Sequence, residues 1–348
     1  MVIRETRTLT VLLLVCVLLA GAADAFAQAQ SGWLLDRPGQ WSTASRGGDC
    51  PAYRFKTGET AALNQKLAQI AEALRKNSLV LSSPRGFDPI AELWINCEHN
   101  WDRHDYNYGV PGSVDLTFRY YALQGGKVFR HDIEPPHLHV RVNDTMAATG
   151  GGFNYNPVDA TDELRDAARR LNELFLRINV TQDVAPGVTL YQNGSLVVAN
   201  PNRPPYWVPV SVGEVFDLLL AYHRAEVRNT PAEKFVLDEV TKIYGRFTKA
   251  QLGMPAHHIG LSAENITGIT WDGTAGGFPV MRFNKDYFDK ALPRTAVQFI
   301  SMPFEEKTEA EIQELLKDGS GAYFPSLYLA GLDRVSLGAL LRSLLDTK

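Results

Sequence analysis

Turn signals that join short apolar stretches constrain the fold of this chain more than any other feature. Gly125-Gly126 follows the alternating stretch 113–123, and Asn193-Gly194 lies between the apolar stretches 188–191 and 195–199. Gly125-Gly126 suits a tight hairpin turn, and Asn193-Gly194 suits a type I′ hairpin turn. Because such short connections join antiparallel neighbours, the sequence predicts mostly antiparallel sheet rather than a parallel one.

Amphipathic helices are predicted between these strands. In the segment 60–77, leucine or isoleucine recurs every three or four residues, which gives one apolar stripe along a helix. Further helices are predicted at 161–178, 212–227, 231–248, 308–317 and 336–345. The predicted fold class is therefore α+β, with one or more mostly antiparallel sheets on which amphipathic helices pack.

The first 27 residues have the order of a secretory signal peptide. Arg4 and Arg7 precede the apolar run Val11–Ala20, and Ala25-Phe26-Ala27 has the small residues of a cleavage site. We therefore expect residues 1–27 to be removed and the mature protein to be secreted or periplasmic. No later segment is long and apolar enough to suggest a stable membrane span after cleavage.

The rest of the chain has the composition of an ordinary globular protein, with 45% hydrophobic and 21% charged residues. Gly150-Gly151-Gly152 is the most plausible internal boundary, which would separate a β-rich half at 28–150 from a mixed half at 153–348. A single fused domain is the alternative. The net charge of −4 gives no basis for binding nucleic acid, and the sequence identifies no partner.

Two cysteines, Cys50 and Cys97, remain once the leader is removed. In an oxidising compartment an even pair without CxxC spacing predicts a disulfide bond. The alternative is two separate buried thiols.

Histidines and carboxylates cluster in the N-terminal half. His137 and His139 are two residues apart on a predicted strand, so their imidazoles point to the same face. If His104 converged with them, the three imidazoles would resemble a zinc site with an open position, and Glu98 or Asp102 could act as general base. This set predicts a zinc-dependent hydrolase as one alternative function.

Aromatic side chains suggest a second alternative. Tyr206 and Trp207 lie on a proline-rich segment, and Trp271 is the last residue of a strand predicted at 266–271. Exposed aromatic rings on a rigid support can stack on sugars, which predicts carbohydrate binding. The competing interpretation is that Tyr206 and Trp207 fill the core.

No nucleotide-binding loop or nucleophile elbow occurs in the sequence. The pattern therefore favours a non-enzymatic binding or structural protein that works outside the cytoplasm without a bound cofactor. Whether the protein is an enzyme stays open, because the zinc alternative depends on residues that only a three-dimensional structure can bring together.

Overall fold

A computed structural model describes residues 32–46, 56–95, 109–144, 149–157, 160–177, 180–226, 230–305 and 307–346. The strands within these ranges are β1 (Ser42–Arg46), β2 (Phe87–Ile95), β3 (Gly112–Gln124), β4 (Lys127–Arg130), β5 (His137–Val142), β6 (Thr149–Gly152), β7 (Leu174–Arg177), β8 (Val180–Ala185), β9 (Val188–Tyr191), β10 (Ser195–Ala199), β11 (Trp207–Pro209), β12 (His257–His258), β13 (Ile269–Thr270), β14 (Phe278–Phe283) and β15 (Phe299–Pro303).

The α-helices in the same ranges are α1 (Glu59–Lys76), α2 (Leu79–Ser82), α3 (Asp162–Leu171), α4 (Val212–Glu226), α5 (Pro231–Tyr244), α6 (Lys249–Leu252), α7 (Glu309–Lys317), α8 (Tyr323–Ala330) and α9 (Arg334–Ser343). This mixture of helices with two mostly antiparallel sheets confirms the predicted α+β class.

The larger sheet, here called the first sheet, has the strand order β1-β2-β3-β5-β15-β10-β9-β8, with β4 paired to β3. Its neighbours are antiparallel except for β1 and β2, which are parallel. The second sheet has the order β13-β12-β14-β7-β6, with β11 paired to β14. The first sheet thus combines strands from both sides of residue 150, while the division into two halves stays a prediction.

Helix α1 lies on one face of the first sheet. Its predicted stripe of Leu63, Leu67, Ile70 and Leu74 is buried in one core with residues of β2, β3 and β5. Helices α7, α8 and α9 add apolar side chains to the same core. At Gly338 in α9 a Cβ atom would lie 2.5 Å from Val188 Cγ1, so only glycine lets this helix approach β9 so closely.

Helices α3, α4 and α5 form a second core with the second sheet. Leu164 and Leu171 of α3 pack in this cluster with Phe216 of α4 and Val280 of β14. Thr230 and Glu233 form a capping box at the start of α5. Helices therefore pack on both sheets, and in each sheet they bury one apolar face.

The helix predicted at 161–178 is too long. Helix α3 ends at Leu171, and residues 174–177 form β7, which pairs with β14. The side chain of Asn172 accepts a hydrogen bond from Tyr155 N at 2.8 Å and donates one to Tyr155 O at 3.0 Å. Pairing with a distant strand thus overrides the helical spacing of the leucines, because periodicity alone does not include such contacts.

The type I′ turn predicted at Asn193-Gly194 is also wrong, although the hairpin itself forms. The loop has three residues, Gln192 to Gly194, and only Gly194 has a positive φ, of 76°. Gly194 N donates to Tyr191 O at 2.9 Å. This arrangement is a type I turn followed by a left-handed glycine. At Gly125-Gly126 both φ angles are positive and the loop has two residues, as predicted.

Within the described ranges, none of the helices has the length and apolar character needed to cross a membrane. Residues 1–27 and both Cys50 and Cys97 lie outside those ranges. The signal peptide and the disulfide bond therefore stay predictions.

Candidate functional site

The face of the first sheet opposite α1, here called the polar face, carries most of the charged side chains of its central strands. The strand register places Glu92, Asp115 and His139 side by side on β2, β3 and β5. Cross-strand partners share a face, and the residues that alternate with them are the buried apolar ones. Alternation along three strands therefore assembles one continuous row of ionisable groups.

Ion pairs neutralise the carboxylates at the β1 and β2 end of the polar face. The Arg46 guanidinium lies 2.8 Å from Glu92 Oε1, and that of Arg119 lies 3.8 Å from the same oxygen. The Glu92 side chain is almost fully buried, so two arginines compensate a charge that water does not reach well. This part of the face is structural rather than open to a ligand.

Asp88 on the same face is held in a buried hydrogen-bond network. Its carboxylate accepts from Tyr121 Oη at 2.7 Å, from Gln40 N at 2.8 Å and from Arg130 at 3.0 Å. Burial alone would raise the pKa of the Asp88 carboxyl, but these hydrogen bonds and the charge of Arg130 outweigh it, so the pKa is lowered.

Asp115 and His139 form a hydrogen-bonded pair at the centre of the polar face. The distance between Asp115 Oδ1 and His139 Nδ1 is 2.8 Å. A carboxylate can only accept, so Nδ1 carries the proton and donates it. The carboxylate thus fixes the orientation of the ring and leaves Nε2 for another group.

A cavity of about 360 Å³ opens beside this pair. It is here called the sheet cavity, and it is lined by His139, Arg141, Ser195, Ser301, Met302 and Pro303. Three strands supply its walls, because β15 lies between β5 and β10 in the sheet. An imidazole, a guanidinium and two hydroxyl-bearing residues therefore meet in one concave site.

Ser301 is the most unusual residue of the sheet cavity. It is 1% exposed, and its Oγ has no hydrogen-bond partner among the described residues. Arg141 uses one nitrogen for Asp144, at 3.2 Å, which leaves most of its five N–H groups available. Arg141 therefore supplies free donors to the cavity, and a guanidinium suits a ligand rich in acceptor oxygens.

Asn143 fixes the geometry of the strands that line the sheet cavity. Its side-chain amide donates to Val110 O and Ala296 O and accepts from Gln298 N and Phe299 N, with distances between 2.9 and 3.3 Å. The residue is buried and has a left-handed φ of 55°. It therefore joins the end of β5 to the start of β15.

The structure brings together only part of the predicted zinc set. The rings of His137 and His139 are in contact, with centroids 4.6 Å apart. His104, Glu98 and Asp102 lie outside the described residues. Within the part of the chain that is described, no three His, Cys, Asp or Glu side chains are grouped to hold a metal ion. The zinc site therefore stays a prediction.

Trp207 is not an exposed aromatic residue. Its indole is 5% exposed and packs with Phe175 and Met281 in a small apolar cluster. The Tyr206 hydroxyl is hydrogen-bonded to that of Tyr191, and burial raises the pKa of Tyr206 well above its usual value. Trp271 is half-buried against the core of the second sheet. The packing of Trp207 agrees with the interpretation that this residue fills the core.

The sequence pattern did not single out Asp115, Arg141 or Ser301. Asp115 and Arg141 alternate with apolar residues on their strands, which is a signal of a polar face but not of a site. Ser301 and Asp115 are far apart in sequence, and strand pairing places Ser301 opposite Arg141 and Asp115 opposite His139. No family model, curated protein or solved structure matches this chain.

Proposed function

We propose that this chain is an exported binding protein that holds a small organic anion in the sheet cavity. The observation that carries the proposal is that the Arg141 guanidinium and the His139 imidazole line one cavity. A carboxylate offers four acceptor positions and no donor, so it complements the guanidinium of Arg141. Export rests on the signal-peptide pattern of residues 1–27.

The size of the sheet cavity sets the size of the ligand. Its volume of about 360 Å³ is near the lower end of the range for small-molecule sites, which is roughly 300–1,000 Å³. A guanidinium can bind a carboxylate through two parallel hydrogen bonds, which gives orientation as well as affinity. We therefore expect a short mono- or dicarboxylate rather than a large molecule.

Binding explains the sheet cavity better than acyl transfer does. Asp115, His139 and Ser301 are the three residue types of a serine hydrolase, and the first two are hydrogen-bonded. A nucleophilic serine needs a hydrogen bond to its base, whereas Ser301 Oγ has no partner among the described residues. A fluorophosphonate probe distinguishes the two functions: binding predicts that Ser301 stays unlabelled.

Isothermal titration calorimetry tests the proposal with acetate, succinate and citrate, each paired with its neutral amide, and with phosphate as an anion that has no carboxylate. At least one carboxylate is expected to bind, and its amide is not. Replacement of Arg141 by Gln removes the charge from the sheet cavity and should weaken binding roughly 10-fold or more, since charged hydrogen bonds contribute about 1.5–3 kcal/mol.

The matched control is Arg46→Gln. Arg46 is an exposed arginine of the same face, but it pairs with Glu92 and does not line the sheet cavity. Its variant should bind like the wild type. Equal losses in both variants, or equal binding of the amides, would contradict recognition by the sheet cavity.

A further inference from the structure

A second cavity, here called the helix cavity, lies between α3 and the segment at 155–157. Its volume is about 340 Å³, and its lining includes Tyr155, Arg165, Ala168, Arg169 and Asn172. Arg165 and Arg169 are four residues apart on α3 and therefore share a face of the helix. Ala168 is buried, and its small side chain leaves room between the two arginines and Tyr155.

The walls of the helix cavity are fixed in position. Both backbone hydrogen-bonding groups of Tyr155 are held by the side chain of Asn172, at 2.8 and 3.0 Å. The ring of Tyr155 contacts that of Tyr222, with centroids 4.4 Å apart. Burial, followed by the charge of Glu226, raises the pKa of Tyr155. The phenol of Tyr155 is therefore uncharged and has a fixed orientation in the lining of the helix cavity.

Ion pairs hold both guanidinium groups of the helix cavity. Arg165 lies 2.5 Å from Asp162 Oδ1, and Arg169 lies 2.7 Å from both an Asp166 oxygen and a Glu173 oxygen. Three carboxylates thus compensate the charge of two guanidinium groups, so nothing here selects a negative ligand. These carboxylates are outside the lining of the cavity, which includes the amide of Asn156 beside the two guanidinium groups.

We propose that the helix cavity binds an uncharged sugar, of one or two rings. Hydroxyl groups on a sugar both donate and accept, so they can accept from the two guanidinium groups and donate to the side-chain oxygen of Asn156. The C–H face of the ring is apolar and can pack on the ring of Tyr155. The volume of the helix cavity lies within the range of small-molecule sites, roughly 300–1,000 Å³.

The proposal moves carbohydrate binding away from the aromatic residues that the sequence suggested. Trp207 packs inside an apolar cluster, whereas Tyr155 lines an open cavity together with polar side chains. The helix cavity is a different site from the sheet cavity, so this inference does not rest on the proposed function.

Saturation-transfer-difference NMR with the full mature protein tests the proposal. The probes are methyl glucoside, methyl galactoside, N-acetylglucosamine, cellobiose and maltose, with gluconate as the charged comparison. At least one neutral sugar is expected to bind with a Kd of about 1 mM or tighter, and gluconate more weakly. Binding should fall at least 5-fold in Arg169→Gln, and Arg170→Gln is the control because Arg170 is on the same helix but outside the lining.

Tyr155→Leu is the second variant, with its far-UV circular dichroism measured to show that it folds. Sugar binding by this variant should also fall at least 5-fold, because leucine lacks a flat ring on which the sugar can pack. The proposal is overturned if no neutral sugar gives a signal, if gluconate binds as well as the neutral sugars, or if Arg170→Gln loses as much as Arg169→Gln. Arg141→Gln should leave sugar binding unchanged, which keeps the outcome separate from that of the sheet cavity.

Discussion

The two faces of the first sheet use the same strands in opposite ways. On one face Val114, Leu116 and Phe118 of β3 are covered by helices and fully buried. On the other face Asp115 of the same strand accepts a hydrogen bond from His139 of β5, and Arg119 pairs with Glu92 of β2. The comparison shows that alternation along a strand can separate the residues that stabilise the fold from those available for recognition.

The largest effect on stability is expected on the covered face. Leu67 is fully buried between α1 and β3, and Leu67→Ala should lower the free energy of unfolding by about 4 kcal/mol because it leaves a cavity. Leu79→Ala is the control, since Leu79 is 86% exposed, and it should change stability by less than about 0.5 kcal/mol. Urea denaturation measures both. Similar losses of stability in the two variants would show that the packing of α1 on the first sheet does not stabilise the fold.

The second-largest loss of stability is expected from substitution of a buried polar residue, Asn143. Asn143→Ala removes four hydrogen bonds and leaves their backbone partners buried, so it should cost about 3 kcal/mol. Asn143→Gly loses the same bonds but tolerates the left-handed φ, so it should cost about 1 kcal/mol less. Thermal unfolding followed by circular dichroism tests this order, and a neutral Asn143→Ala would contradict the role given to this side chain.

Asp88 should make stability depend on pH. Its folded pKa is lowered, so its contribution is present above the unfolded value of about 3.9 and is lost as pH falls through the folded pKa. Asp88→Asn should therefore cost about 2 kcal/mol at pH 7 and progressively less below about pH 4. Urea titrations of both proteins at pH 7 and pH 3 check this. A difference that stays constant with pH would show that charge is not the cause.

The smallest effect on stability is expected from a substitution in the sheet cavity. Ser301 Oγ is buried without a partner among the described residues, so Ser301→Ala should leave the stability of the unliganded protein unchanged or raise it by up to about 1 kcal/mol. A clear loss of stability without ligand would show that the hydroxyl has a structural role instead.

Local patterns predicted much of the fold. The stripe on α1, the strand β5 and the turn at Gly125-Gly126 follow directly from spacing and residue type, because each depends on nearby residues. The end of α3 at Leu171 and the form of the turn at Asn193-Gly194 do not, since long-range pairing and one extra loop residue decide them.

The candidate site was less accessible to prediction than the fold. The neighbouring positions of His137 and His139 follow from strand alternation. The contact between Asp115 and His139 depends on which strands pair and in which register, and the unpartnered state of Ser301 depends on packing. Neither property is encoded in a local spacing, so a sequence alone gives no signal for the sheet cavity.

Side-chain NMR of His139 and Arg141 shows whether the sheet cavity recognises an anion, because both residues line it. Titration with the carboxylate that binds best in calorimetry should shift the ring signals of His139 and the guanidinium signals of Arg141 along one saturable curve, while those of Arg46 stay in place. Shifts of equal size at all three residues, or no saturation, would contradict anion recognition by the sheet cavity.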